Sequence, residues 1–202
     1  MKFILASASP RRRELLKLIG LDPRVIVPSI NEERKPAESL EKFIERITVS
    51  KGYSVYNEQY FDSVVLSADT IVLLEDTILG KPLDRNDAFN ILRALSGNRH
   101  EVWTGISLLY RDKMLFDQTR TAVYFEEITD QEIDYYLDNE TYSDKAGAYA
   151  IQGKASVFVK RIEGCYFNVM GLPLHLFMQM LKKIDIHLYS FPPGDNRIHN
   201  QI

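Results

Sequence analysis

Cysteine is nearly missing from this chain: Cys165 stands alone among 202 residues. One thiol excludes an intrachain disulfide, a cysteine-built zinc site and an iron–sulfur cluster, and it suits a reducing cytoplasm. Also missing is any apolar run near the ~18 residues that a membrane span needs. Arg11, Arg12 and Arg13 interrupt the N-terminal apolar stretch too early for a secretory signal. Neither sign of charge dominates. A net charge of −3 argues against a broad surface for nucleic acid, yet leaves room for a local cationic cluster around a small anion. His100, His175, His187 and His199 are scattered without metal-ligand spacing. No Walker A loop, dinucleotide fingerprint or serine nucleophile elbow occurs.

What is present is a regular alternation of strand and helix signals, the pattern of a mixed α/β fold. A short apolar strand over 3–6 leads into a helix from Pro10, with Ser9 as N-cap and Leu15, Leu16, Leu18 and Ile19 at helical spacing. Residues 24–27 predict a second strand, 31–39 a polar loop, and a helix follows from about Ser39 with Phe43, Ile44 and Ile47 on one face. The β-rich run 64–74 is expected to be broken at Ser67-Ala68-Asp69-Thr70. Asp84 opens a helix that Gly97 closes, and Thr129 with Glu132 forms a capping box for another. Strands are expected over 102–110, 114–125 and 157–162, and a last amphipathic helix over 173–183. Residues 1–184 read as one domain, and 185–202 as a poorly ordered extension.

The first turn is the most informative stretch. Ser7-Ala8-Ser9-Pro10-Arg11-Arg12-Arg13 places three arginines where the helix dipole is already positive. Helix stability alone would favour acids there. An anion at the helix start, held by N–H groups, Ser7, Ser9 and guanidinium forks, explains the pattern, and phosphate is the obvious candidate. A solvated basic helix end is the plainer alternative. Asp69 lies inside an apolar strand-like run, where an unpaired carboxylate is costly to bury. Either it is reactive, or Asp69-Thr70 forms a bulge or edge with the carboxylate bonded to backbone. Lys51 falls on the apolar stripe of its helix, so it snorkels to solvent or points at a bound anion. Lys81 sits in the tight turn Gly80-Lys81-Pro82, and Gln152 lies in the small-residue segment 144–153.

These segments together resemble the Maf family of nucleoside triphosphate pyrophosphatases. The resemblance rests on Ala6-Ser7-Ala8-Ser9-Pro10-Arg11-Arg12, Ser67-Ala68-Asp69-Thr70-Ile71-Val72, Gly80-Lys81-Pro82 and Leu95-Ser96-Gly97. It continues through Asp144-Lys145-Ala146-Gly147-Ala148-Tyr149-Ala150-Ile151-Gln152-Gly153 and Val169-Met170-Gly171-Leu172-Pro173, all in family order. It implies a mixed, strongly bent sheet flanked by helices, akin to inosine triphosphate pyrophosphatase, with two lobes and a cleft. It also implies cytoplasmic cleavage of a nucleoside triphosphate to monophosphate and pyrophosphate, with no nucleic acid or membrane partner, and it admits a homodimer. By resemblance Asp69 is the proton acceptor, Arg11 and Arg12 bind phosphate beside Ser7 and Ser9, and Lys51 and Lys81 match the family lysines. Glu32, with Glu33 adjacent, matches the loop glutamate.

Asp69 and Glu32 offer hard oxygen ligands for Mg²⁺ or Mn²⁺. Arg11, Thr70 and Gln152 fall at the specificity positions. Thr70 and Gln152 resemble the subtype associated with dTTP and UTP rather than the one associated with 7-methyl-GTP. A uracil or thymine edge, an N3–H donor flanked by carbonyls, suits an amide; guanine's paired donors suit a carboxylate. The rivals are a 7-methyl-GTP pyrophosphatase and a non-catalytic nucleotide-binding regulator of septum formation. The departures are Ala150 and Gly52, where the family commonly carries glycine and alanine, and the extra tail after residue 184.

Overall fold

The structure, a computed structural model, describes residues 1–191. Seven strands form one mixed sheet flanked by helices: β1 (Lys2–Ala6), β2 (Arg24–Ile26), β3 (Ser63–Leu74), β4 (Thr77–Leu79), β5 (Arg99–Tyr110), β6 (Lys113–Phe125) and β7 (Val159–Glu163). Their order is β2-β1-β3-β5-β6-β7, with β4 beside β3. The helices are α1 (Pro10–Leu18), α2 (Leu40–Tyr53), α3 (Arg85–Leu95), α4 (Asp130–Asn139), α5 (Tyr166–Val169) and α6 (Leu174–Lys183). The expected α/β alternation is therefore present.

The chain divides into two compact units, one comprising residues 1–69, 105–118 and 174 onward, the other 70–104 and 119–173. In the first, β1 lies between β2 and β3 and runs parallel to both. Parallel neighbours need a crossover, and α1 and α2 supply the two connections. The apolar stripe of α2 buries Phe43, Ile44 and Ile47, as its spacing predicts. Gly105 allows α2 to lie close against β5, since a Cβ there would stand 2.7 Å from the Thr48 hydroxyl. Beyond α6 the chain continues to contribute: Ile186 and Phe191 are buried, and the Phe191 ring meets Phe3 edge-on at 5.2 Å. The rest of the expected extension, 192–202, lies outside the described residues.

In the second unit, α3 and α4 start as the sequence predicts. The Asp84 carboxylate accepts from the Asp87 N–H, and Thr129 and Glu132 make both bonds of a capping box. Gly97 closes α3 at a φ of 69°, a left-handed value that favours glycine. Phe125, Tyr136, Tyr149 and Phe158 build an aromatic core. His100 is buried in it, with Nε2 2.7 Å from the Tyr149 hydroxyl.

Burial pushes the His100 imidazole down to about 4. The unfolded chain takes up that proton near pH 6.5, where the folded protein refuses it, so the unfolded state gains protons first. Stability is full above about pH 6.5 and falls as pH drops towards 4, by up to about 3 kcal/mol. Urea unfolding at pH 7 and pH 4.5 reads this loss. It shrinks in His100→Gln, which keeps a hydrogen-bonding group but does not titrate; an unchanged acid slope in that variant assigns the loss elsewhere.

Three expectations need correction. β3 is not broken at Ser67 to Thr70 but runs through them, because its polar side chains find partners without leaving the ladder. The Ser67 hydroxyl donates to the Thr48 carbonyl at 2.7 Å and lies 2.7 Å from the Ser107 hydroxyl. The strand expected over 157–162 starts at Val159, because Lys154–Phe158 coils into a 3₁₀ turn first. Ser9 occupies the N-cap of α1, but its side chain makes no capping bond. Its N–H instead donates to the Ser7 hydroxyl oxygen at 3.1 Å.

Candidate active site

The carboxyl ends of the three parallel strands in the first unit carry the polar residues singled out above. Open α/β sheets bind ligands outside those ends, where backbone groups and helix starts face outward. Ser7 follows β1 directly, and Arg12 projects from the first turn of α1. The loop after β2 carries Glu32. Asp69 lies on β3 two residues beyond Ser67, the last residue paired with β1.

Lys51 is the centre of the arrangement. It sits one turn beyond Ile47 on the buried face of α2, so its stem packs inward. Its ammonium nitrogen is 2.5 Å from Asp69 Oδ1 and 3.0 Å from Glu32 Oε1. The Asp69 carboxylate is therefore paired with a cation, not bonded to backbone in a bulge. The lysine does not snorkel. Its neighbour Gly52 keeps α2 close: a Cβ there would stand 3.0 Å from Leu109, 3.1 Å from the Ser67 hydroxyl and 3.2 Å from that of Ser107.

Arg12 is buried and donates to the buried Ser7 hydroxyl at 3.0 Å. Burial lowers the pKa of its guanidinium, with Arg11 adding to the effect, while Asp69 and Glu32 oppose it. An arginine so lowered still stays protonated at neutral pH. Ser7, Arg11, Arg12, Lys51, Asp69 and Glu32 thus form one electrostatic cluster. Arg13 stands apart, 3.6 Å from Asp22 on the exposed side of α1.

Of the two adjacent glutamates, Glu32 is the one that meets Lys51, and the loop shows why. Arg46 on α2 donates to Glu38 through Nε and one terminal nitrogen, at 2.6 and 2.8 Å, and to the Glu33 carbonyl at 2.9 Å. Its bond pulls the Glu38 carboxyl down to about 2. This clamp leaves Glu32 facing Lys51, while the Asn31 side-chain amide oxygen receives the Glu33 N–H. Sequence reasoning missed Arg46 and Glu38. Eight residues apart across a helix start, they carry no periodic signal.

Residues 2–184 match the family described as Maf-like protein. This chain belongs to the Maf family. The dTTP/UTP pyrophosphatase of Bacillus anthracis is 43% identical over 185 residues, covering 92% of this chain and 96% of that protein. That of Clostridium beijerinckii is 43% identical over 187 residues, covering 91% of this chain and all of the relative (100%). Among solved structures, the Staphylococcus aureus Ham1 protein aligns at 13% identity with a TM-score of 0.49, covering 91% of this chain and 100% of that one. At that distance the likeness carries no functional weight.

The remaining Maf motif residues, Thr70, Lys81 and Gln152, belong to the second unit. Lys81 and Gln152 are exposed; Gln152 lies in a turn, whereas Lys81, expected in a tight turn, sits in irregular chain between β4 and α3. Their segments meet, because the Gly147 N–H donates to the Gly80 carbonyl at 3.0 Å. Gly147 has a φ of 70° and lies so close to Val72 that a Cβ would stand 3.1 Å from it. Thr70 is half-buried, with its hydroxyl 3.0 Å from that of Thr104. Among the described residues no group of three or more histidine, cysteine or acidic side chains is placed to hold a metal. The pair Asp69 and Glu32 nevertheless converges on one point, the Lys51 ammonium. Two hard carboxylates aimed at one cation suit Mg²⁺ or Mn²⁺, which take one or two protein carboxylates and fill their shell with phosphate oxygens and water. No helix among the described residues is long and apolar enough to cross a membrane.

Proposed function

We propose that this protein hydrolyses dTTP and UTP to the monophosphate and pyrophosphate, with Asp69 as the base. The observation that carries this reading is the pairing of Asp69 and Glu32 through Lys51, beside the buried Arg12–Ser7 pair at the strand ends. The names of relatives 43% identical over nearly the whole chain support the choice of substrate.

Cleavage between the α- and β-phosphates needs a water in line with the α-phosphorus and positive charge on the phosphate oxygens. Arg11, Arg12 and Lys51, with the hydroxyls of Ser7 and Ser9, supply the charge and donors, and Lys81 is a further phosphate-binding cation by the family resemblance. Asp69 accepts the water proton as oxygen bonds to the α-phosphorus and the bridging oxygen leaves with pyrophosphate. A divalent ion held by Asp69 and Glu32 would neutralise phosphate charge. Thr70 and Gln152 read the pyrimidine edge, Thr70 through its hydroxyl and Gln152 through its amide. The catalytic domain comprises the motif-bearing residues 1–184 together with the packed segment that follows to Phe191, working in the cytoplasm and compatible with a homodimer.

Pyrophosphate release from a panel of triphosphates, with Mg²⁺ and with EDTA, tests this. UTP and dTTP turn over fastest and EDTA abolishes release. Faster hydrolysis of 7-methyl-GTP moves the protein to the other subtype. Nucleotide binding without pyrophosphate release makes it a regulator.

A further inference from the structure

A hydrogen-bonded relay outside the residues assigned above sets the polarity of Thr70. Thr104 on β5 is fully buried, and its hydroxyl stands 3.0 Å from the carbonyl oxygen of buried Asn168 and 3.0 Å from the Thr70 hydroxyl. A carbonyl can only accept, and a hydroxyl carries one proton. Only one placement of protons makes both bonds: Thr104 donates to Asn168, and Thr70 donates to Thr104. The Asn168 end is anchored. Its side-chain amide donates to the Val102 carbonyl at 2.8 Å and the Thr121 hydroxyl oxygen at 2.9 Å. Its carbonyl also receives the Gly171 N–H at 2.9 Å. The Thr70 proton is thereby committed inward, so towards a ligand the hydroxyl can act as an acceptor but not as a donor.

We propose that Thr104 is a positioning residue for base selection, holding Thr70 as an acceptor that matches the N3–H of uracil or thymine and repels the N3 lone pair of cytosine. This rests on the pyrimidine triphosphate reading above. In water a threonine hydroxyl rotates and greets either partner equally. Tied to Thr104 it cannot turn its proton towards cytosine N3 without breaking a buried bond, and an unmet polar pair of this kind costs about 1–3 kcal/mol. A site that discriminates through a committed hydrogen bond rejects the wrong edge strongly.

Thr104→Val keeps the side-chain volume and removes the relay. The Asn168 carbonyl retains its Gly171 partner, so no backbone group is orphaned. In this variant the bond that commits the Thr70 proton inward is lost, and the ratio of kcat/KM for UTP over CTP falls about tenfold, chiefly through a lower KM for CTP. Thr104→Ser keeps the hydroxyl and restores the wild-type ratio. Thr104→Ala, a second route to the same loss, gives the relaxed ratio if the valine variant does not fold. An unchanged ratio in either folded apolar variant overturns the relay, as does an equal fall in the serine variant. Wild-type protein that cleaves neither UTP nor dTTP overturns the substrate reading itself, an outcome distinct from both.

Discussion

Asp69→Asn lowers kcat for UTP and dTTP by about 10³-fold, within the range expected for removing a general base. The amide oxygen still accepts from Lys51, and Lys51 keeps its bond to Glu32 at 3.0 Å, so the fold survives. Thermal unfolding followed by circular dichroism shows a stability change of no more than about 1 kcal/mol. Pyrophosphate release measured with saturating Mg²⁺ reads the chemistry. Activity near wild type in a folded variant removes Asp69 from the reaction and leaves it a mere ion-pair partner.

Lys51→Met has two effects of opposite sign. Turnover drops about 10²-fold, the scale seen when one preorganised donor to a developing charge is lost. Cation binding, in contrast, tightens. In the wild-type protein the ammonium already occupies the point on which Asp69 and Glu32 converge, at 2.5 and 3.0 Å. A divalent ion arriving without nucleotide meets a like charge there. With methionine in its place the two carboxylates lose the cation that stands between them, which costs stability and draws a metal ion in. The melting temperature of the variant therefore starts lower than that of the wild type and rises more on adding Mn²⁺. Equal Mn²⁺ shifts in the two proteins disprove the competition.

Much of this was legible in the residues. The spacing on α2 identified its buried face, and the caps of α3 and α4 appear where Asp84 and Thr129 announce them, because capping chemistry is local. Of the site, Asp69 declared itself as an acid in an apolar run and Lys51 as a base on an apolar stripe. Neither residue identifies the other as its partner, since the contact spans eighteen positions and depends on how closely α2 lies to the sheet. The continuity of β3 was hidden for the same reason. Four polar or small residues in succession look like an interruption until Ser67 and Asp69 are seen to find partners across the fold. The clamp from Arg46 to Glu38 and the chain from Thr70 through Thr104 to Asn168 are likewise tertiary, and no local pattern marks them.

The Phe191 ring against Phe3 bears on how this protein can be handled. The family match stops at residue 184, whereas the hydrophobic packing of the first unit reaches seven positions further. A fragment trimmed to the matched boundary would strip two apolar plugs, Ile186 and Phe191, from a layer that begins on the very first strand, the one whose carboxyl end carries Ser7. The safe cutting point for expression therefore lies beyond Phe191, and a shortened protein that proves sluggish speaks of a loosened scaffold before it speaks of chemistry.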